Sequence, residues 1–129
     1  DHAEISGLLP VWNFQGNETN MMLGYHAVPV LVDNYLKGLL APELGEQILQ
    51  WAVKSARQQE FGLASYQQLG FVPYAERKWN VALTLEYAYD DWAIARLAEH
   101  LGHKTLAGEF RARSQHYRQH FDAKVELVI

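Results

Sequence analysis

Residues 81–101 read VALTLEYAYDDWAIARLAEHL. Apolar or small side chains occupy nearly every position, glycine and proline are absent, and Gly102 stands just past the end. That is one helix of about 30 Å, at roughly 1.5 Å per residue, stopped by a residue that tolerates φ > 0. No continuous polar stripe runs along it, so burial on most sides is expected. Its polar residues before Arg96 are Thr84, Glu86, Asp90 and Asp91. Glu86 and Asp90 lie one turn apart on a face shared with Ala82, Ala93 and Leu97. Like charges at that spacing repel by a few tenths of a kcal/mol even in water, and burial without partners costs far more. Either sugar hydroxyls or a metal must answer them, or an Arg or Lys from a neighbouring hairpin.

Outward from this helix the pattern repeats. Upstream, Gly62, Gly70 and Pro73 mark residues 60–80 as a short helical turn followed by a loop. Pro42 suits the first turn of a helix to about Gln59. Leu44, Ile48, Trp51, Ala52 and Ser55 fall on one face of it and charged or amide side chains on the rest. Further upstream a second all-round apolar helix is expected from about Glu18 to Lys37. Asn17 or Thr19 would cap it, Glu18 would sit in its first turn, Pro29 would bend it and Gly38 would end it. Before it, Leu8, Leu9, Val11, Trp12 and Phe14 form an extended or looped lead-in. Downstream of Gly102, Thr105 can cap a last helix to about Phe121. Leu106, Phe110, Ala112, Tyr117 and Phe121 would face inward there, with Arg111, Gln115 and Arg118 outward.

The order is buried, amphipathic, buried, amphipathic. The buried helices start near 18 and 81 and the amphipathic ones near 42 and 105, a spacing beyond the period of about 34 to 47 residues of common helix-pair repeats. Hairpins with an inner buried helix and an outer amphipathic one fit a ring of helices, which two hairpins cannot close. The fold class expected is all-α, part of an (α/α)6 toroid.

Composition narrows the classes. With 129 residues, length allows one domain. Apolar residues make up 49% and charged ones 20%, which fits a folded globular chain rather than a disordered one. A net charge of -4 gives no electrostatic case for nucleic acid or an anionic membrane. No apolar run is long enough to span a bilayer, and the first residues of the sequence show no signal-peptide pattern; it starts at Asp1 without a methionine, which leaves room for an upstream segment. The absence of cysteine removes disulfides and thiolate sites.

Few residues offer chemistry. Glu86 and Asp90 project the same way from one helix, so they cannot flank a sugar as the acid and base of one glycosidase site. Asp91 lies on another face with Thr84 and Tyr87, where a hydrogen bond within the helix layer is expected. Glu18 either caps its helix or presents a carboxylate to a pocket. His26, on a buried helix after Tyr25, is read on local grounds as a satisfied core residue. His116 and His120 stand at metal-pair spacing but lack the intervening glutamate of HExxH; with Arg111, Arg113, Arg118 and Lys124 they read as a solvated surface.

Two stretches carry a family resemblance. GNETNMMLGYHAVPVLVDNYLKG (Gly16 to Gly38) and TLEYAYDDWAIARLAEHLG (Thr84 to Gly102) resemble glycoside hydrolase family 92, the exo-acting α-mannosidases. LPVW (Leu9 to Trp12), GFVP (Gly70 to Pro73) and FRARSQHYRQHFD (Phe110 to Asp122) follow the family in order. Met21-Met22 stands where the family usually has Cys-Met, and Asn13 at a position that is often acidic. The resemblance implies an (α/α)6 catalytic barrel beside an N-terminal β-sandwich, with this chain one central segment of the barrel. It implies calcium-dependent removal of terminal α-linked mannose, α-1,2 the expected linkage, with inversion. Its partners would be mannose-containing glycans and the remainder of the enzyme, its location secreted, periplasmic or cell-surface. The general acid and base and the calcium ligands are expected outside this segment. Glu18, His26, Glu86 and Asp90 are the substrate-binding candidates, and no residue is assigned to a metal. A stand-alone helical module that binds another protein through its inner wall is the competing reading.

Overall fold

The computed structural model describes residues 2–122, 124 and 127–128. In chain order its elements are α1 (His2–Ser6), β1 (Asn13–Phe14), β2 (Asn17–Glu18), α2 (Ala27–Leu36), α3 (Gly45–Ala56), α4 (Leu63–Leu69), α5 (Asn80–His100), α6 (Lys104–Arg113), β3 (Phe121–Asp122) and β4 (Leu127–Val128). A 3-10 turn at Pro42–Leu44 leads into α3 and another at His116–His120 follows α6. The strands form two short antiparallel ladders, β1 with β2 and β3 with β4.

The stretch that decides the fold is one helix of 21 residues, and Gly102 just beyond it takes φ +85. It packs against α2, α3, α6 and the second 3-10 turn, so it is the hub of the molecule. Buried side chains cover most of it, namely Leu83, Thr84, Tyr87, Asp90, Asp91, Ile94, Leu97 and Ala98, while Tyr89, Trp92, Arg96 and Glu99 form an exposed stripe. Helices α2 and α5 run parallel, since His26 at the start of α2 meets Glu86 and Asp90 towards the middle of α5, while Tyr35 meets the His100 ring near both ends. Helices α3 and α6 are likewise parallel, joined by Glu46 to His103 at one end and Arg57 to Glu109 at the other. The result is two layers, α2 with α5 and α3 with α6. It is all-α in its framework, with inner and outer helices in the expected order.

Two boundaries differ from expectation. The second helix begins at Ala27 rather than near residue 18. Asn20 (φ 49) and Gly24 (φ 78) both sit in the left-handed region, which no right-handed helix can cross. Residues 13–18 form the β1–β2 hairpin instead, and Thr19 donates to the Trp12 carbonyl rather than capping a helix. Pro29 thus falls in the first turn of α2, where amides have no intrahelical acceptor and proline fits at little cost. Likewise the last helix stops at Arg113 and restarts as the 3-10 turn. Phe110 is buried as expected, but Ala112, Tyr117 and Phe121 are exposed and Arg113 is buried. Helix α3 ends at Ala56, with Ile48, Ala52 and Ser55 buried and Leu44 and Trp51 half-buried. Among the described residues no helix is long and apolar enough to cross a membrane.

Candidate functional site

Asp90 and Asp91 are both wholly buried, and they have separate partners. Asp91 points towards α6 and α4. Arg113 grips it with Nε to Oδ2 at 2.8 Å and Nη2 to Oδ1 at 3.1 Å. The Tyr25 hydroxyl donates to Oδ1 at 2.5 Å, and the Tyr66 hydroxyl stands 3.0 Å from Oδ2. Arg113 also donates to the Ala56 carbonyl and lies over the Phe110 ring, 4.7 Å from its centre. Burial pushes the Asp91 carboxyl up to about 6, and Arg113 with the hydroxyl donors opposes that rise. Burial likewise raises the Tyr25 and Tyr66 hydroxyls, with Asp91 adding to the effect, so both remain protonated donors. This network ties the segment before α2, the end of α3, α4, α5 and α6 to one carboxylate. It is closed to solvent and structural.

Asp90 points the other way, to the start of α2. Its Oδ2 accepts the Tyr25 amide at 2.7 Å and its Oδ1 meets His26 Nδ1 at 2.7 Å. The second His26 nitrogen, Nε2, is 3.1 Å from Glu86 Oε2. The hydrogen bond that His26 donates to Asp90 raises the His26 pKa above its ordinary value; burial opposes this, while the charges of Asp90 and Glu86 reinforce it. Burial raises Asp90, held in check by His26 and the Tyr25 amide. Gly24 makes the arrangement possible. It has φ +78, and a Cβ there would lie 2.6 Å from the His26 ring and 2.9 Å from Asp90 Oδ2.

Unlike Asp90, His26 and Glu86 reach solvent, with side chains 37% and 42% exposed. They open into a groove of about 800 Å³ between α2 and α5, lined further along by Val30, Asp33, Tyr89, Trp92 and Arg96. The Tyr89 and Trp92 rings are stacked, their centres 6.0 Å apart and planes 18° from parallel, and both are about half exposed. An acidic group, a protonatable nitrogen and aromatic surface therefore share one cleft, between the start of α2 and the middle of α5.

The family model for the glycosyl hydrolase family 92 catalytic domain matches residues 1–128. The chain belongs to glycosyl hydrolase family 92. Similar solved structures include the family GH92 α-mannosidase BT3965 from Bacteroides thetaiotaomicron, 34% identical with a TM-score of 0.88, over 96% of this chain and 17% of that one. The same mannosidase in complex with mannoimidazole matches at 34% identity and TM-score 0.87, over 96% and 16%. The inverting mannosidase BT2199 from Bacteroides thetaiotaomicron VPI-5482 matches at 33% and 0.85, over 98% and 18%. This family 92 chain thus spans less than a fifth of the length of those structures. No curated protein matches it.

Of the four substrate-binding candidates, the family 92 chain brings together His26, Glu86 and Asp90. Their answering partner is a histidine, not the expected Arg or Lys, and His26 is a half-buried bridge between carboxylates rather than a core residue. Glu18 lies outside the groove lining. Its carboxylate neither caps α2 nor faces a pocket freely; it accepts the amides of Val11, Trp12 and Asn20, each at 2.8 Å. Although burial pushes its pKa up, those amides together lower it. The surface reading of residues 111–120 is also corrected. His120 is buried edge-on to Phe71, His116 is half-buried against Tyr66, and Arg113 is interior. The buried stripe Ala107, Phe110, Arg113 has helical spacing, which is the signal that could have placed Arg113 inside.

A calcium ion wants six to eight oxygen ligands. Among the described residues no group of three or more acidic, His or Cys side chains is placed to hold a metal. The two buried aspartates already have their oxygens occupied by protein donors. These residues do not form a calcium site.

Proposed function

We propose that this chain is part of the barrel wall of an exo-acting α-mannosidase that removes terminal α-linked mannose, α-1,2-linked, with inversion. Its α2–α5 groove would face the barrel interior, and its His26–Glu86 end would contact the sugar. The observation that carries this reading is the exposed His26–Glu86 pair, fixed from behind by buried Asp90 and placed beside stacked aromatic rings. Carboxylate and imidazole groups bind hydroxyls, and aromatic faces cover the apolar faces of a sugar ring. The relatives named as α-mannosidases, one of them bound to mannoimidazole, supply the substrate class.

The remaining machinery would come from parts of the enzyme outside this segment. Inversion needs one carboxyl to protonate the leaving oxygen and another, about 6.5–9.5 Å away, to activate water. Glu86 and Asp90 cannot be that pair, because Asp90 is sealed off and both rise from one helix face. Calcium would likewise be held elsewhere, together with the further barrel helices and the β-sandwich. The 129 residues alone are expected to be inactive. The test is an aryl α-mannoside assay on the complete enzyme carrying this segment, with calcium and after chelation. Calcium-dependent turnover with inverted product supports the proposal; a folded, calcium-supplied enzyme that leaves α-mannosides intact refutes it.

A further inference from the structure

Proton placement at His26 follows from what its partners can do. Asp90 is wholly buried and acceptor-only, so His26 must donate from Nδ1 at 2.7 Å. Nε2 then faces Glu86 Oε2 at 3.1 Å, and that carboxylate also only accepts. The contact is a hydrogen bond when the imidazole carries both protons. The groove thus presents a fixed donor beside a fixed acceptor, both reaching solvent. Two hydroxyls on adjacent ring carbons present the complementary pair.

Resting on the mannosidase reading, we infer that His26 and Glu86 together read two adjacent hydroxyls of the bound sugar. The sugar displaces the contact between the two side chains: His26 Nε2–H turns from Glu86 to donate to one hydroxyl oxygen, the other hydroxyl donates to Glu86, and Asp90 is the positioning residue that holds the imidazole. The donor exists only while His26 is protonated. Glu86 and Asp90 face it from α5, with the Tyr89 ring at 6.5 Å. His2 of α1 lines the adjoining cleft, and Asp33 and Arg96 lie further along the groove. The two contacting carboxylates favour the protonated form, so diol reading is complete at mildly acidic pH and fades as pH rises past the ordinary histidine range.

The experiment compares kcat/KM of the complete enzyme for an aryl α-mannoside and its 2-, 3- and 4-deoxy counterparts, in wild type, Glu86→Gln, His26→Gln and Asp90→Asn. Hydrogen bonds to charged groups imply that wild type loses about 10- to 100-fold on two adjacent deoxy positions. Glu86→Gln should lose a similar factor on the parent substrate and little more on the deoxy sugar that lacks the hydroxyl Glu86 accepts from, while the penalty at the adjacent, His26-bound position persists. Asp90→Asn should move the alkaline limb of kcat/KM to lower pH, a change that lost packing alone would not produce. Circular dichroism identifies any variant that fails to fold, and the partly exposed, isosteric Glu86→Gln keeps the test decisive. Deoxy penalties at both positions as large in Glu86→Gln as in wild type overturn the diol reading while leaving the mannosidase reading intact. An alkaline limb unmoved in folded Asp90→Asn removes Asp90 from its positioning role. Absence of turnover by wild type overturns both readings.

Discussion

Asp90 and Asp91 adjoin in the chain, yet they point to opposite sides of α5 and do different work. Asp91 and Arg113 form a buried ion pair, and taking one partner away leaves the other charge without compensation. Asp91→Asn or Arg113→Met in the complete protein should each cost about 3–5 kcal/mol. The double substitution should cost less than their sum, a coupling that chemical denaturation can measure. His26 has a different signature. Its folded-state pKa is raised, so its contribution to stability is full below the ordinary value of 6.5 and lost as pH climbs through the raised one. Thermal stability should therefore fall from mildly acidic to mildly alkaline pH, and His26→Gln should flatten that slope. The sequence shows that carboxylates within an apolar helix need answering; it does not show by what. His26 and Arg113 come from positions 64 and 22 residues away from their aspartates, and only the folded packing brings them near.

At the level of elements, Gly24 separates a conformational need from a steric one. Gly24 and Gly102 both have positive φ, but only at Gly24 would a Cβ strike the His26 ring and Asp90; at Gly102 nothing lies within 4 Å. Gly102→Ala should cost about 1 kcal/mol of backbone strain with activity retained. Gly24→Ala should cost that and also displace His26, so kcat/KM falls well below that of Gly102→Ala at equal protein stability. The segment before α2 has its own latch in Glu18. Glu18→Ala should release the Val11, Trp12 and Asn20 amides and open residues 11–20 to limited proteolysis, with α5 still protected. Long helices were legible because period and punctuation agree over many residues: α5 matches its sequence reading within a residue at each end. The start of α2 was not, because an apolar run containing Gly24 looks helical until the backbone angles at Asn20 and Gly24 are known.

For the whole molecule, the order of inner and outer helices was readable from alternating burial, and the family from two motifs. The α2–α5 face leaves Val30, Tyr89 and Trp92 about half exposed or more along one groove. Contiguous apolar surface of that kind favours association. The isolated 129-residue chain should therefore oligomerise, aggregate or lack a sharp transition; size-exclusion chromatography with a thermal melt checks this, and a monomeric two-state melt would count against it. The orientation of the groove is the claim on which function rests. A crystal structure of the complete enzyme with mannoimidazole bound tests it most directly. His26 Nε2 and Glu86 should lie within hydrogen-bonding distance of sugar-ring hydroxyls, with Asp90 still behind the imidazole. A groove filled by other helices of the enzyme, with His26 and Glu86 paired only to each other and remote from the ligand, would contradict it.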